Sequence, residues 1–555
     1  MADAKTPRKS SAKTTAATTK AAAPKKAPSR RSPSRSASKT EIPTLISTDP
    51  ATGERLAEVF QTLPGEVAGI VENARKVAPE WAAIHPKGRA GILKEVRYRI
   101  HERSDDIVET ISRENGKTRA EALVHDVLPT LLMFAYMERA VARTLKPQRI
   151  GRLLGLPMGA SAYIDWRPFG VVGAIGPWNY PFFNTFLAFT SALFAGNTVV
   201  IKPSEVTPQV GELIKDVLEP LPTGVATVIQ GGGDVGAALV DAPCDKISFI
   251  GSPGTGRRIC EGAAKHLTPV VMELGGKDAA IVCSDANLDV ATSGVLWGSF
   301  FNSGQTCCSV ERIFVSDDIA DRFTEAFAEK LAKLRQGSDG EIGPLTFKRQ
   351  LDIVQRHVKD AIKDGARLVA GGPDEGRKNT NGSLWYAPTI LDQVTDDMAV
   401  VREETFGPVV SITRVRDDEE ALRRANSGFN LTASVWSKDS RRAGRIASGL
   451  KAGTVTINSH GDTLGQPWTP WGGVGESGFG RLGGDLGLKE FSVPVHVNKN
   501  LTPKLKRLWW YPYDDAMVDT IKAVATIVGS SDGRAKRKAV GTVVRNAGRV
   551  LRSRL

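Results

Sequence analysis

The sequence predicts an α/β fold built on two open, mainly parallel sheets. Three observations predict it: short β-branched runs that are apolar throughout, amphipathic helical stretches of about ten to fifteen residues between them, and Gly-rich turns where the runs end. With 555 residues, 41% of them hydrophobic and 24% charged, the chain suffices for two or three domains with cores of their own. That composition excludes a fibrous or wholly unfolded protein.

Residues 1–40 hold 11 Lys/Arg against one Asp and contain no Leu, Ile, Val, Phe or Trp. Such a segment buries too little apolar surface to offset its ordering entropy, so a disordered basic tail is expected. It has no apolar stretch of the secretory type, and without an apolar face it makes a poor transit peptide. A solvated tail or a weak contact with a polyanion remains. Residues 501–555 hold 12 Lys/Arg against four Asp, so of the net +13 the two ends carry +10 and +8, leaving 41–500 at −5. Any argument from basicity therefore concerns the ends.

Helical periodicity runs through 65–85, 89–114 and 118–143. Buried parallel strands are expected at Val171–Ile175, Thr198–Ile201, Ala226–Ile229 and Lys246–Ile250, and a second alternating series from Ala279 to about Asn458. Apolar runs of bilayer length are all interrupted by Gly, Asn or charge, so no membrane-spanning helix is expected. After the aromatic cluster Trp509-Trp510-Tyr511-Pro512-Tyr513 come two amphipathic helices. One aligns Met517, Ile521, Val524 and Val528; the other aligns Val540, Val543, Val544, Ala547, Val550 and Leu551, flanked by Arg537, Lys538, Arg545, Arg549 and Arg552. This extension suits packing on the protein's own body, or contact with a membrane surface or polyanion. The five cysteines (244, 260, 283, 307 and 308) form no spaced pairs, which fits a reducing, cytoplasmic setting, and neither Cys nor His spacing offers a metal site.

Three segments carry chemistry. Phe301-Asn302-Ser303-Gly304-Gln305-Thr306-Cys307-Cys308 sets a cysteine in a turn whose N–H groups would lower its pKa. Met272-Glu273-Leu274-Gly275-Gly276-Lys277 sets a carboxyl at the end of an apolar run, where burial would raise its pKa toward that of a general base. Gly176-Pro177-Trp178-Asn179-Tyr180-Pro181 fixes an amide donor suited to an oxyanion.

These segments, together with Lys202-Pro203-Ser204-Glu205, Phe249-Ile250-Gly251-Ser252, Glu404-Thr405-Phe406-Gly407-Pro408 and Pro470-Trp471-Gly472-Gly473 through Ser477-Gly478-Phe479-Gly480-Arg481, resemble the NAD(P)-dependent aldehyde dehydrogenase superfamily in motif and order. The resemblance spans about 45–500 and leaves both tails outside it. It implies two Rossmann-like domains: a cofactor-binding domain from 41–142 and 164–273 and a catalytic domain at 274–466, with 467–488 returning to the first. It also implies a β-hairpin oligomerisation arm from 143–163 and 489–501, hence a homodimer or homotetramer, with 502–555 as a C-terminal extension.

The same resemblance implies roles. Cys307 would attack the aldehyde carbon, with Cys308 given no role. The Asn179 side chain and the Cys307 N–H would hold the oxyanion, and Glu273 would activate water to hydrolyse the thioester left after hydride transfer. Gly251, Ser252 and Gly256 would lie at the cofactor pyrophosphate, Trp178 and Phe406 near the cofactor, and Glu404 at the nicotinamide ribose. Lys202 and Glu205 would take the adenosine ribose. A carboxylate at 205 repels a 2′-phosphate, so NAD is expected before NADP. The turn Gly231–Gly236 also fits the dinucleotide fingerprint but is expected at the adenosine end. Tyr180, Phe301 and Trp471, with Trp297 nearby, would wall an aldehyde tunnel suited to apolar aliphatic or aromatic substrates. The alternatives are a semialdehyde or acylating dehydrogenase and, in another class, a membrane- or polyanion-associated scaffold.

Overall fold

The computed structural model describes residues 43–150, 160–337, 339–461, 465–501, 503, 510–511 and 513–552. The expected disordered tail at 1–40, part of the first arm, and Trp509 and Pro512 lie outside the described residues.

The first sheet runs in the order Gly478–Phe479, Val270–Leu274, Lys246–Gly251, Val171–Ile175, Thr198–Lys202, Ala226–Val228. Its strands are parallel apart from the short Gly478–Phe479, which pairs antiparallel with Val270–Leu274. The strands Val171–Ile175 and Thr198–Lys202 are buried along their whole length, which is why they read as unbroken apolar runs. Strand order grows outward from Val171–Ile175 on one side and restarts with Lys246–Gly251 on the other. The crossovers on the two sides leave in opposite directions, opening a crevice beyond the carboxyl ends of this central pair.

The second sheet follows the order Arg367–Gly372, Ala387–Asp392, Val409–Val415, Val310–Ser316, Asp278–Val282, Asn430–Trp436, Ala452–Ile457. It is parallel except at one edge, where Arg367–Gly372 runs antiparallel to its neighbour. Gln148–Ile150, Ala160–Pro168 and Ser492–Asn500 make a separate antiparallel sheet, in register from Ser492 opposite Pro168 to Asn500 opposite Ala160.

Two helical segments differ from the periodicity. The 89–114 stretch is two helices, Pro86–Glu102 and Ser104–Asn115, broken at Arg103 (φ −96°, ψ 11°), where Asp105 and Asp106 favour a fresh N-terminus. The 118–143 stretch is helix Arg119–Ala122, a π turn Leu123–Val127 and helix Leu128–Thr144. The wide turn accommodates Pro129, which cannot donate to the ladder, and it aims His125 and Asp126 into the protein. The continuous run Arg119–Thr144 is 26 residues long and by length and composition could cross a bilayer, yet half of its most apolar stretch is buried inside the protein, as in a core helix. One side packs into the core, while Leu123, Val124, Leu128 and Leu132 stay exposed. Met133, Phe134, Met137 and Val141 are buried, Phe134 stands 5.7 Å from Phe186, and Arg97 pairs with Glu138 at 2.6 Å. The partner helix Phe183–Ala195 is buried on every side, and its Thr185 and Thr190 hydroxyls return to the carbonyls of Pro181 and Phe186.

At the C-terminal end, helices Asp515–Gly529 and Gly533–Arg552 pack against each other. Of the expected stripe, Met517 at its N-terminal end is buried, whereas Ile521, Val524 and Val528 are exposed together with Val518. Val540 and Val544 are exposed, Val543 is half-buried, and the side chains of Val550 and Leu551 are outside the described residues.

Candidate active site

The site forms where the carboxyl ends of the first sheet meet the amino ends of the second. Glu273 closes strand Val270–Leu274, whereas Cys307 and Glu404 precede strands Val310–Ser316 and Val409–Val415.

Cys307 leaves a tight knot in which Asn302, Ser303 and Gly304 all adopt left-handed backbone (φ 50°, 55° and 68°). Gly304 is obligatory there: a Cβ would stand 2.1 Å from the Gly407 carbonyl oxygen. Side chains lock the two non-glycine residues. Asn302 Nδ2 donates to Gln305 O (3.2 Å) and Asn179 O (2.9 Å), Ser303 Oγ donates to Gly343 O (2.8 Å), and the Asn302 N–H donates to Glu121 Oε1 (2.6 Å).

The loop carrying Asn179 is pinned from beneath. The buried Lys117 ammonium donates to Asn179 O (2.8 Å) and Asp126 Oδ2 (2.7 Å) and lies 3.9 Å from the centre of the Tyr180 ring. Burial pulls the Lys117 pKa down, against the raising influence of Asp126. Asp126 Oδ1 in turn accepts from the N–H groups of Phe182 and Phe183. Asn179 Nδ2 donates to Gln305 O at 3.1 Å, which leaves its second amide hydrogen for another acceptor.

Glu273 is 2% exposed. Burial pushes its carboxyl up to about 7, opposed by hydrogen bonds from the Trp471 indole N–H (3.1 Å) and the Cys307 thiol. The expectation of a lowered Cys307 pKa is overturned. The adjacent Cys308 thiol, burial and the Glu273 carboxylate all push the Cys307 thiol well up. Among the described residues no cation offsets them, so the resting group is a thiol beside a base.

Two cavities meet at this sulfur. A cleft of about 910 Å³ is walled by Trp178, Asn179, Gly251, Ser252, Glu273, Glu404 and Phe406, and Cys307 is part of that wall. Trp178 and Phe406 meet edge to face at 5.4 Å, and Glu404 accepts from Gly276 N–H at 3.1 Å. Gly275 permits that approach, since a Cβ there would fall 2.0 Å from the Glu404 carboxylate. Ser252 caps helix Pro253–Ala264 through Thr255 N–H, so the helix start faces the crevice with its N–H groups. Donors at a helix terminus, a buried carboxylate and an aromatic wall fit the pyrophosphate, ribose and ring of a dinucleotide.

Lys202 and Glu205 form their own pair (3.0 Å) at the end of strand Thr198–Lys202, outside the walls of that cleft. Gly236, in the other glycine turn, lies against the Lys202 side chain. Gly256 points at Leu274 and serves close helix–strand packing, not the crevice itself.

On the other side of Cys307 lies a cavity of about 640 Å³ whose walls include Met133, Tyr180, Phe183, Leu187 and Trp471, with no Asp, Glu, Lys or Arg among its described lining residues. The expectation for Phe301 is corrected: it stands one layer back, stacked on Trp297 at 4.3 Å and packed on His125 at 5.5 Å. Trp297 lines a separate, more open cavity that shares His125 and Pro129 with the first. The π turn, invisible to periodicity, is what places His125 in both walls; burial drops that imidazole to about 3, so it is neutral. Asn184, which walls both main cavities and donates to Asn179 Oδ1 at 3.4 Å, was also not singled out from the sequence, nor were Lys117 and Phe347. Asn184 lies just beyond the segment that carries Asn179, and a lone Asn in an apolar helix gives no further signal.

A parallel sheet with a crevice at its switch point, facing a second α/β sheet, is the arrangement in which nucleotides bind beyond the carboxyl ends of the strands. The chain is 36% identical over 499 residues to a 4,4'-diapolycopene aldehyde oxidase of Methylomonas sp, covering 89% of this chain and 93% of that protein. The crystal structure of Mycobacterium tuberculosis aldehyde dehydrogenase complexed with NAD+ matches at TM-score 0.77 and 30% identity, over 82% of this chain and 94% of that one. An NADP-dependent enzyme of E. coli matches at TM-score 0.78 and 32% identity, over 82% and 95%. The model of the aldehyde dehydrogenase family covers residues 37–497. The chain belongs to the aldehyde dehydrogenase family, oxidoreductases that take an aldehyde to its acid with a pyridine nucleotide.

Proposed function

We propose that this chain oxidises an apolar aliphatic or aromatic aldehyde to the free carboxylic acid with NAD, through a covalent adduct on Cys307. The observation that carries this reading is the position of the sulfur, in the wall of both the uncharged cavity and the polar cleft.

Glu273, whose carboxyl lies beside the thiol, takes its proton as the sulfur attacks the aldehyde carbon. The oxygen of the thiohemiacetal is held by the free amide hydrogen of Asn179 and the Cys307 N–H. Bound NAD supplies the hydride acceptor. Glu404, Trp178 and Phe406 hold the reacting end of the cleft in place, and Gly251 and Ser252 hold the anionic part. Collapse of the adduct leaves a thioester on Cys307. Glu273, released to its carboxylate by proton loss and oriented by Trp471, removes a proton from water as that water attacks the acyl carbon. The acid departs and the thiol is restored.

Glu205 supports NAD over NADP, because its half-exposed carboxylate beside Lys202 accepts from a 2′-hydroxyl and repels a 2′-phosphate. Apolar substrates are supported by the uncharged cavity and by the substrate in the name of the Methylomonas relative, a diapolycopene aldehyde. A semialdehyde would bring its carboxylate against walls whose described residues include no cation to receive it.

Absorbance of the reduced nucleotide, followed over a panel of apolar, cationic and anionic aldehydes with NAD and with NADP, tests this. Apolar aldehydes with NAD should give the highest kcat/KM, free acid should form without coenzyme A, and Cys307→Ala should give no signal. Wild-type signal no higher than that of Cys307→Ala would end the enzymatic reading; an anionic preference would end the substrate assignment.

A further inference from the structure

The family match stops at residue 497, and the helical pair Asp515–Gly529 and Gly533–Arg552 lies beyond it. Each helix has already spent one face on the other: Ala516, Met517, Thr520 and Ala523 of the first and Ala539 of the second are buried. Yet Val518, Ile521, Val524 and Val528 are 40%, 42%, 41% and 72% exposed. At 100° per residue these four fall within a sector of roughly 120°, one continuous stripe. Val540 and Val544 are exposed one turn apart on the second helix. Isolated exposed valines need no account, but an aligned stripe on an already paired helix does.

Charge identifies the occupant. The second helix carries seven Lys/Arg and no Asp or Glu. Tyr511 and Tyr513, 67% and 62% exposed and 4.8 Å apart, stand directly before the first helix. The first helix itself carries Asp515, Asp519 and Lys522, so the positive charge belongs to the second helix; that helix, the apolar stripe and the flanking tyrosines together match the headgroup region of an anionic bilayer. The aliphatic side chains enter the acyl boundary there, the tyrosine rings sit at headgroup level, and the cations meet lipid phosphates. A second copy of the same helix would instead set seven positive charges against seven more.

We propose that this hairpin docks the protein on an anionic phospholipid surface through the Val518–Val528 stripe. The inference does not depend on the proposed reaction. If that reaction holds, docking brings the uncharged cavity to the phase in which apolar aldehydes dissolve.

The test uses the full chain with vesicles of phosphatidylcholine alone and with about one third phosphatidylglycerol. Wild type should partition onto the anionic vesicles about tenfold more than onto the neutral ones. The double variant Ile521→Asp, Val528→Asp should lose about tenfold of that partition while keeping wild-type turnover of a short, soluble aldehyde. The pair Arg537→Glu, Lys538→Glu should also bind less and lose most of the dependence on salt. Absence of wild-type binding would overturn the proposal. So would equal binding by the Ile521/Val528 variant, which would leave only the basic termini as attractants. A fall in light-scattering mass of that variant, with vesicle binding intact, would assign the stripe to a second copy instead.

Discussion

At the scale of single residues, the chemistry turns on two groups that burial pushes in the same direction. Both the Cys307 thiol and the Glu273 carboxyl are held protonated to unusually high pH, the carboxyl up to about 7. Only the carboxylate can take a proton from thiol or water, so the rate of acid release should fall about tenfold per pH unit below that value. In Glu273→Gln that dependence should vanish, leaving a burst of reduced nucleotide followed by slow turnover; slow hydride transfer without a burst would contradict the role in hydrolysis. Linkage has a definite sign here. A carboxyl with a raised folded pKa stabilises the protein while protonated, and that contribution is lost as pH rises from the unfolded value through about 7. Glu273→Gln should therefore have a higher Tm than wild type at pH 8, measured by calorimetry. Neither the direction of the Cys307 shift nor the role of Lys117 beneath Asn179 was legible from motifs. Both depend on which charged groups face a buried atom, and a motif names residue types without their neighbours.

At the scale of elements, the knot before Cys307 and the π turn before Pro129 decide the geometry. Gly304→Ala combines a left-handed backbone with a contact on the Gly407 carbonyl that only main-chain movement relieves. A loss of about 2 kcal/mol or more in urea unfolding is expected, with activity down at least tenfold as the sulfur shifts. Full activity in that variant would show that the knot does not position the thiol. Strands read as apolar runs were legible because parallel strands bury both faces and leave a contiguous signal. The break at Arg103 and the π turn were not, since helical periodicity passes through a one-residue irregularity almost unchanged.

At the scale of the whole molecule, the antiparallel sheet of Gln148–Ile150, Ala160–Pro168 and Ser492–Asn500 bears on assembly. Along Ser492–Asn500, Val493, Val495 and Val497 form one half-buried face, alternating with exposed Pro494, His496 and Asn498. We propose that this face joins copies into a homodimer or homotetramer. Light scattering of wild type should give two or four times the monomer mass, and Val495→Glu with Val497→Glu should lower it; a monomeric wild type would refute the arm's role. The sequence by itself determined the α/β class, the order of the segments that build the site, and the divided charge. Each rests on composition or short-range pattern, which a linear chain displays directly. Only the tertiary structure decided that Cys307 and Asn184 lie in the walls of two cavities, that Phe301 stands behind the wall, and that helix Arg119–Thr144 belongs to the core. Burial and neighbourhood across hundreds of residues are properties of the packed chain, and no local pattern encodes them.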